Sequence, residues 1–256
     1  MKFQQIRNAT IKIEFAGTKF LVDPMLAPKE TYPGFEGTFN SHLRFPSVEL
    51  PTALEDILDV DAIILTHTHL DHWDDTAKEV IPKNQLIITQ NENDAKQIES
   101  EGFTNVEVLT SGFTFNDVEL IKTSGQHGSN YAMEVLGEIL GEVCGVVFRH
   151  PNEKVLYLAG DTVWNAFVKD SIETYQPEVL ILNSGDAQVP GLGSIIMGKN
   201  DVYEVHKAAP KAVLIASHME AVNHATLTRA ELQEFLLEKG IMNYVRIPQD
   251  GETYII

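Results

Sequence analysis

Val60-Asp61-Ala62-Ile63-Ile64-Leu65-Thr66 is a near-continuous apolar run bounded by polar residues. A run this short and this apolar suits a central strand covered on both faces. Directly behind it stands Thr66-His67-Thr68-His69-Leu70-Asp71-His72-Trp73-Asp74. His67 and His69 lie two apart, so an extended backbone points both the same way. Asp71 and His72 then turn into the next helix and can face a neighbouring point. Imidazole and carboxylate at this spacing are metal-ligand types. The bland alternative is a polar loop with Asp71 as helix cap, but three histidines are an odd way to cap a helix.

A strand-end loop cannot close such a site alone, because a zinc-type ion wants at least three protein ligands and an open position. Three later loops each follow a strand and offer one more. Ser124-Gly125-Gln126-His127-Gly128 holds His127, Ala159-Gly160-Asp161-Thr162 holds Asp161, and Ser217-His218-Met219-Glu220 holds His218. Singly these read as a turn residue, a helix cap and a backbone-bonded histidine. Their shared placement behind strands, in a chain that already carries H-x-H-x-D-H, favours ligands. His224 lies close to His218 and competes for the last position. His42, His150 and His206 have no such context.

The rest of the chain reads as one domain, strand-rich in the middle with helices outside the sheets, and shows no sequence repeat. Paired strands occupy the first 23 residues. Residues 24–52 read as a long loop with five prolines and Tyr32, Phe35, Phe39 and Phe45, in the style of an active-site lid. A helix follows from about Asp74, a strand over Gln85–Thr89 and a helix over 92–101, closed by Gly102. Strands are expected at 106–110, 113–122, 131–138, 143–149 and 155–159, with turns at Asn116-Asp117 and Pro151-Asn152. Further on come buried strands at Val179–Asn183 and Ala212–Ala216, separated by a helix at 201–208. A capping box at Thr228–Glu231 opens another helix, and Tyr244–Ile256 reads as strand. The glycine-rich loop 183–199 follows a strand and could meet substrate, with Lys199 facing an anionic group.

Composition narrows the function. There are 19 basic against 37 acidic residues, a net charge of −18, which repels nucleic acid and anionic membranes. The lone Cys144 excludes an internal disulfide and fits a reducing compartment. With no signal-peptide pattern at the start and no membrane-length apolar run, the expected location is the cytoplasm.

The chain resembles the metallo-β-lactamase superfamily. The likeness is carried by THTHLDH, AGDT and the late histidine, and runs from the first paired strands to the C-terminal strand. The start NATIKIEFAGTKFLVDPML, the segment AGDTVW and the lack of appended domains are similar to the branch related to ascorbate-6-phosphate lactonase. The resemblance implies an α/β fold, a four-layer αββα sandwich of two mixed β-sheets flanked by helices. It implies up to two divalent ions, zinc or manganese, with iron as an option. His67, His69 and His127 would hold one ion, Asp71, His72 and His218 the other, and Asp161 would bridge them. Two such ions share a water and lower its pKa, and the hydroxide attacks a carbonyl or phosphoryl centre. Asp161 would position both ions, and Asp71 would accept a hydrogen bond from the nucleophile. Glu220, Asn223, His224 and Lys199 are the candidates to face substrate.

The function expected is hydrolysis of a small ester-like molecule, a lactone or a phosphoester. An iron-containing redox protein of the same fold and a catalytically silent metabolite binder are the alternatives. The partner expected is a small molecule, with a homo-oligomer as an option.

Overall fold

The computed structural model describes residues 1–110 and 112–256. The chain opens with a meander, β1 (Lys2–Arg7), β2 (Thr10–Phe15) and β3 (Thr18–Val22). After the long loop come α1 (Leu54–Leu58), β4 (Ala62–Leu65), α2 (Asp75–Val80), β5 (Ile87–Thr89), α3 (Glu92–Ser100) and β6 (Val106–Val108). A second set follows: β7 (Phe113–Phe115), β8 (Val118–Ser124), α4 (Asn130–Leu140), β9 (Cys144–Arg149), β10 (Leu156–Leu158), α5 (Ala166–Tyr175) and β11 (Val179–Asn183). The chain closes with the ribbon β12 (Gln188–Val189) and β13 (Gly193–Ser194), then α6 (Lys199–Ala208), β14 (Val213–Ser217), α7 (Arg229–Glu238), β15 (Val245–Arg246) and β16 (Thr253–Ile255).

Among the described residues these strands make two seven-stranded sheets, ordered β16-β1-β2-β3-β4-β5-β6 and β15-β14-β11-β10-β9-β8-β7. Each sheet is antiparallel in its meander half and parallel from β3 to β6 or from β10 to β15. The repeat that the sequence hides is therefore present in the topology. The sheets face each other across a core of alternate residues: Phe15, Phe20, Val22 and Ile64 from one, and Val146, Phe148, Leu158 and Ile181 from the other. The intervening residues point outward. Leu21, Ile63 and Leu65 meet Trp73, Ala77 and Ile98, while Tyr157, Leu180 and Leu214 meet Val168, Val202 and Leu232. Two covered faces explain why β4 is buried at every position. The architecture is the four-layer αββα sandwich. Cys144 lies in the inter-sheet core, where burial pushes its thiol up to about 12.

Three local readings change. Residues 131–138 are helix, not strand. Ser129 caps Ala132 N, Ala132, Leu136 and Leu140 recur at helical spacing on the inner face, and Gly141 ends the helix at φ 64°. The strand-forming look came from Tyr131 and Val135, which point outward and are exposed. Residues 113–122 are a hairpin, because Asn116 and Asp117 both adopt positive φ. The C-terminal segment is two short strands, β15 in one sheet and β16 in the other. No helix among the described residues is long and apolar enough to cross a membrane.

Candidate metal centre and its cavity

The sequence-selected residues meet at the C-terminal ends of parallel strands, where open α/β sheets place their ligands. His67, His69, Asp71 and His72 follow β4. Asp161 follows β10, and His218 follows β14. The register aligns Leu158 with Ile181 and Asn183 with Ser217, which lines up the chain segments leaving β10, β11 and β14. Potential ligand atoms fall into groups whose members lie within 4.8 Å of one another: His67, His69 and His127; His67, His72 and Asp161; Asp71, His72 and His218. Asp161 Oδ2 is the common point. It lies 3.1 Å from His72 Nε2, 3.6 Å from His127 Nε2, 3.6 Å from His218 Nε2 and 4.0 Å from His67 Nε2.

Outer partners decide which ring nitrogens face inward. Asp23, at the end of β3, accepts from Thr66 N (2.8 Å), Thr66 Oγ1 (2.7 Å) and His72 Nδ1 (2.9 Å). Thr66 Oγ1 in turn accepts from His67 Nδ1 at 3.2 Å. His127 Nδ1 donates to the Ile195 carbonyl (2.8 Å) and His69 Nε2 to the Ile139 carbonyl (3.0 Å). In neutral rings the opposite nitrogens are then bare acceptors. His67 Nε2 faces His69 Nδ1 at 3.0 Å, and His72 Nε2 faces His218 Nε2 at 3.2 Å. Bare nitrogens turned on one another and on carboxylate oxygens repel unless positive charge lies between them. This donor set, nitrogen and oxygen without thiolate, fits divalent cations of the zinc, manganese or iron type.

The electrostatics divide the rings: His67 and His127 are held neutral, whereas the carboxylates draw positive charge to His72. Burial, helped by His72 and His69, pushes His67 well below the ordinary histidine value, and burial holds His127 down to about 4. Burial also opposes charge on His72, but Asp161, Asp71 and Asp23 outweigh it and hold its pKa well above the ordinary value. Burial likewise disfavours charge on Asp71 and Asp161. The facing His72 and His218 outweigh it and hold both well below the usual carboxylate range.

Several supporting residues were not anticipated from sequence. Asn183 Nδ2 donates to Asp161 Oδ1 at 2.7 Å, and Asn8 Nδ2 reaches Asp71 Oδ2 at 3.3 Å. Asp23 and Asn8 both lie in the opening segment, at chain turns with positive φ, where Asp and Asn are enriched. That turn chemistry was the available signal. His218 itself sits at φ 58°, a conformation that persists where surroundings enforce it. Gly185 is part of that enforcement, since a Cβ there would run into the His218 carbonyl.

In front of the cluster lies a cavity of about 370 Å³. His69, Asp71, His127, Asp161 and His218 form its polar end. Its walls are Phe35 and Leu70, Leu136, Ile139 and Leu140 of α4, and Val189, Leu192 and Ile195 of the β12–β13 segment. Among the described residues lining it, Glu36, Asp71 and Asp161 are the acidic ones, and neither lysine nor arginine is present. The 24–52 loop forms one side. Phe35 stacks on Phe45 with ring centres 4.6 Å apart and meets the edge of His224 at 4.9 Å. The buried Arg7 guanidinium holds the base of the loop through the carbonyls of Met25, Ala27 and Val48.

The four candidates for substrate contact separate. His224 lines the cavity. Asn223 does not; it ties down the loop, accepting from Phe35 N (2.9 Å) and donating to Thr38 Oγ1 (2.9 Å) and Phe39 O (2.8 Å). Glu220 is turned to Arg229 and accepts from its backbone and guanidinium. Lys199 is exposed in the first turn of α6, its Nζ 5.5 Å from the centre of the Phe235 ring. The 183–199 segment does reach the cavity, but with apolar side chains rather than with a cation.

Fold and site define a metal-dependent hydrolase, and the chain belongs to the metallo-β-lactamase superfamily: the beta-lactamase superfamily domain matches residues 18–219. The UPF0173 protein YddR of Bacillus subtilis (strain 168) is 54% identical over 255 residues, covering 99% of each chain. The crystal structure of an isothiocyanate hydrolase from Delia radicum gut bacteria is 51% identical. It covers 100% of this chain and 99% of its own, with a TM-score of 0.98. A possible metal-dependent hydrolase from Veillonella parvula DSM 2008 is 43% identical with the same coverage and a TM-score of 0.98.

Proposed function

We propose that this hydrolase cleaves small uncharged carbon electrophiles with apolar substituents, isothiocyanates first among them. Water and an isothiocyanate, R–N=C=S, give a primary amine and carbonyl sulfide. The observation that carries the reading is the cavity: an apolar chamber without a cationic side chain, ending on the His/Asp cluster. The 51% identical isothiocyanate hydrolase supports the substrate class. A lactone, also neutral, fits the same walls. A phosphoester would bring negative charge into an apolar chamber whose walls offer no lysine or arginine to meet it.

His67, His69 and His127 would hold one ion and Asp71, His72 and His218 a second, with Asp161 between them. Bound there, divalent ions supply Lewis acidity and make water a nucleophile near neutral pH. The protein's own part is orientation and exclusion. Asp23, Ile139 O and Ile195 O fix the imidazoles. Leu136, Leu140 and Leu192 enclose the substituent and keep bulk water from it.

The test is turnover by zinc- or manganese-loaded protein of phenethyl isothiocyanate, a γ-lactone and a phosphodiester, with His69→Ala as blank. The expected result is turnover of the isothiocyanate, weaker turnover or none of the lactone, and loss of both in the variant. Phosphodiester turnover with no isothiocyanate turnover would overturn the reading.

A further inference from the structure

His224 lies outside the metal-ligating groups, lines the same cavity and is 6% exposed. Its carbonyl accepts from Gln188 N (3.0 Å), and its ring is gripped edge-on by Phe35. The ring is thus positioned by packing and backbone alone. Its Nδ1 is buried with no hydrogen-bond partner, and no side-chain hydrogen bond of the described residues involves its Nε2. Burying an imidazole without partners is costly, and buried polar groups are paired in the great majority of cases. Nδ1 is closed off from the cavity, which leaves Nε2, on a fixed ring in the cavity wall, as the atom whose partner is the ligand.

We propose that His224 is the proton carrier for the substrate nitrogen, an inference that rests on the isothiocyanate reading. Addition of water to R–N=C=S puts oxygen on the central carbon. The C=N π pair moves to nitrogen, which takes a proton, and R–NH–C(=S)–OH results. Breaking the C–N bond then requires a second proton on nitrogen and loss of the hydroxyl proton. The products are R–NH2 and O=C=S. His224 Nε2 takes the hydroxyl proton and hands it to the nitrogen, so the ring ends neutral as it began. The neutral ring that this exchange needs is also the form burial favours, with the pKa held down to about 4.

The test is His224→Gln, which keeps a polar side chain of similar reach, on two substrates. One is an alkyl isothiocyanate, whose basic amine leaves only when protonated. The other is an electron-poor aryl isothiocyanate, whose amine leaves more readily. With the alkyl compound kcat should fall by about 10²-fold, the low end for general acid–base catalysis. With the aryl compound the loss should be much smaller, and bound metal measured by mass spectrometry should be unchanged. Equal losses on both substrates, or little loss on either, overturn the proton role while wild-type turnover keeps the substrate reading intact. Loss of one ion from the variant makes His224 a ligand instead and also overturns it. Wild-type protein inactive on both isothiocyanates removes the substrate reading and this inference with it.

Discussion

Asp23→Asn is the most informative single change at this centre. The carboxylate accepts three donors: Thr66 N on Oδ1, and Thr66 Oγ1 and His72 Nδ1 on Oδ2. Asparagine keeps the shape but replaces one oxygen by NH2. If the amide oxygen stays with the buried Thr66 N, the new NH2 faces His72 Nδ1. Two donors cannot share that 2.9 Å contact, so the His72 proton must move to Nε2. That nitrogen is the one turned to Asp161 and His218. The change therefore blocks a proposed ligand atom without touching a ligand. Loss of such an outer partner costs about 10–100-fold in metal affinity, or about 1.4–2.8 kcal/mol. Of the other ion's ligands, His69 and His127 do not bond Asp23 and His67 reaches it only through Thr66 Oγ1, so that ion should be held nearly as before. Chelator titration followed by metal analysis should show one ion released about 10–100-fold more easily and the other little changed. The metal-free variant should still melt cooperatively, a few degrees lower for about 1–3 kcal/mol of lost hydrogen bonding. Both ions held as tightly as in the wild type, or both weakened alike, would refute the tautomer argument.

Two further outcomes follow from the surroundings. Asn223→Ala removes the three side-chain bonds that tie the loop at Phe35, Thr38 and Phe39, worth about 1 kcal/mol each; KM should rise with kcat little changed, and an unchanged KM would show that the loop wall is held elsewhere. His224, held down to about 4, is neutral in the fold, whereas in the unfolded chain it binds a proton below ~6.5. The unfolded state therefore binds more protons between those values, and this contribution to stability shrinks as pH falls through that window. Between pH ~7 and ~5 the metal-free wild type should lose about 2 kcal/mol more than His224→Gln, measured by denaturant melts, and equal losses would contradict neutral burial.

What was legible in the residues was local. The apolar run at 60–66 and the ligand types behind it depend on strand period and on short spacings, which need no knowledge of the rest of the chain. The same holds for the Thr228 capping box, which opens α7 through the predicted bond to Glu231 N. His127, Asp161 and His218 could be singled out because each follows a strand, and strands that run the same way bring their ends to one edge. Their partners were hidden because pairing is set by register. Val22 aligned with Ile64 is what brings Asp23 beside Thr66 and His72. Asn183 reaches Asp161 because β11 lies next to β10. The helix at 130–140 was missed for a related reason. Tyr131 and Val135 favour strands, but Ala132, Leu136 and Leu140 find their partners at Ala187, Ile195 and Ile196, more than 45 residues on. Residue type thus identified the chemistry of the centre. The apolar chamber, the tautomers of its histidines and the free ring of His224 arise from contacts between segments far apart in the chain, which form only when the two sheets close on each other.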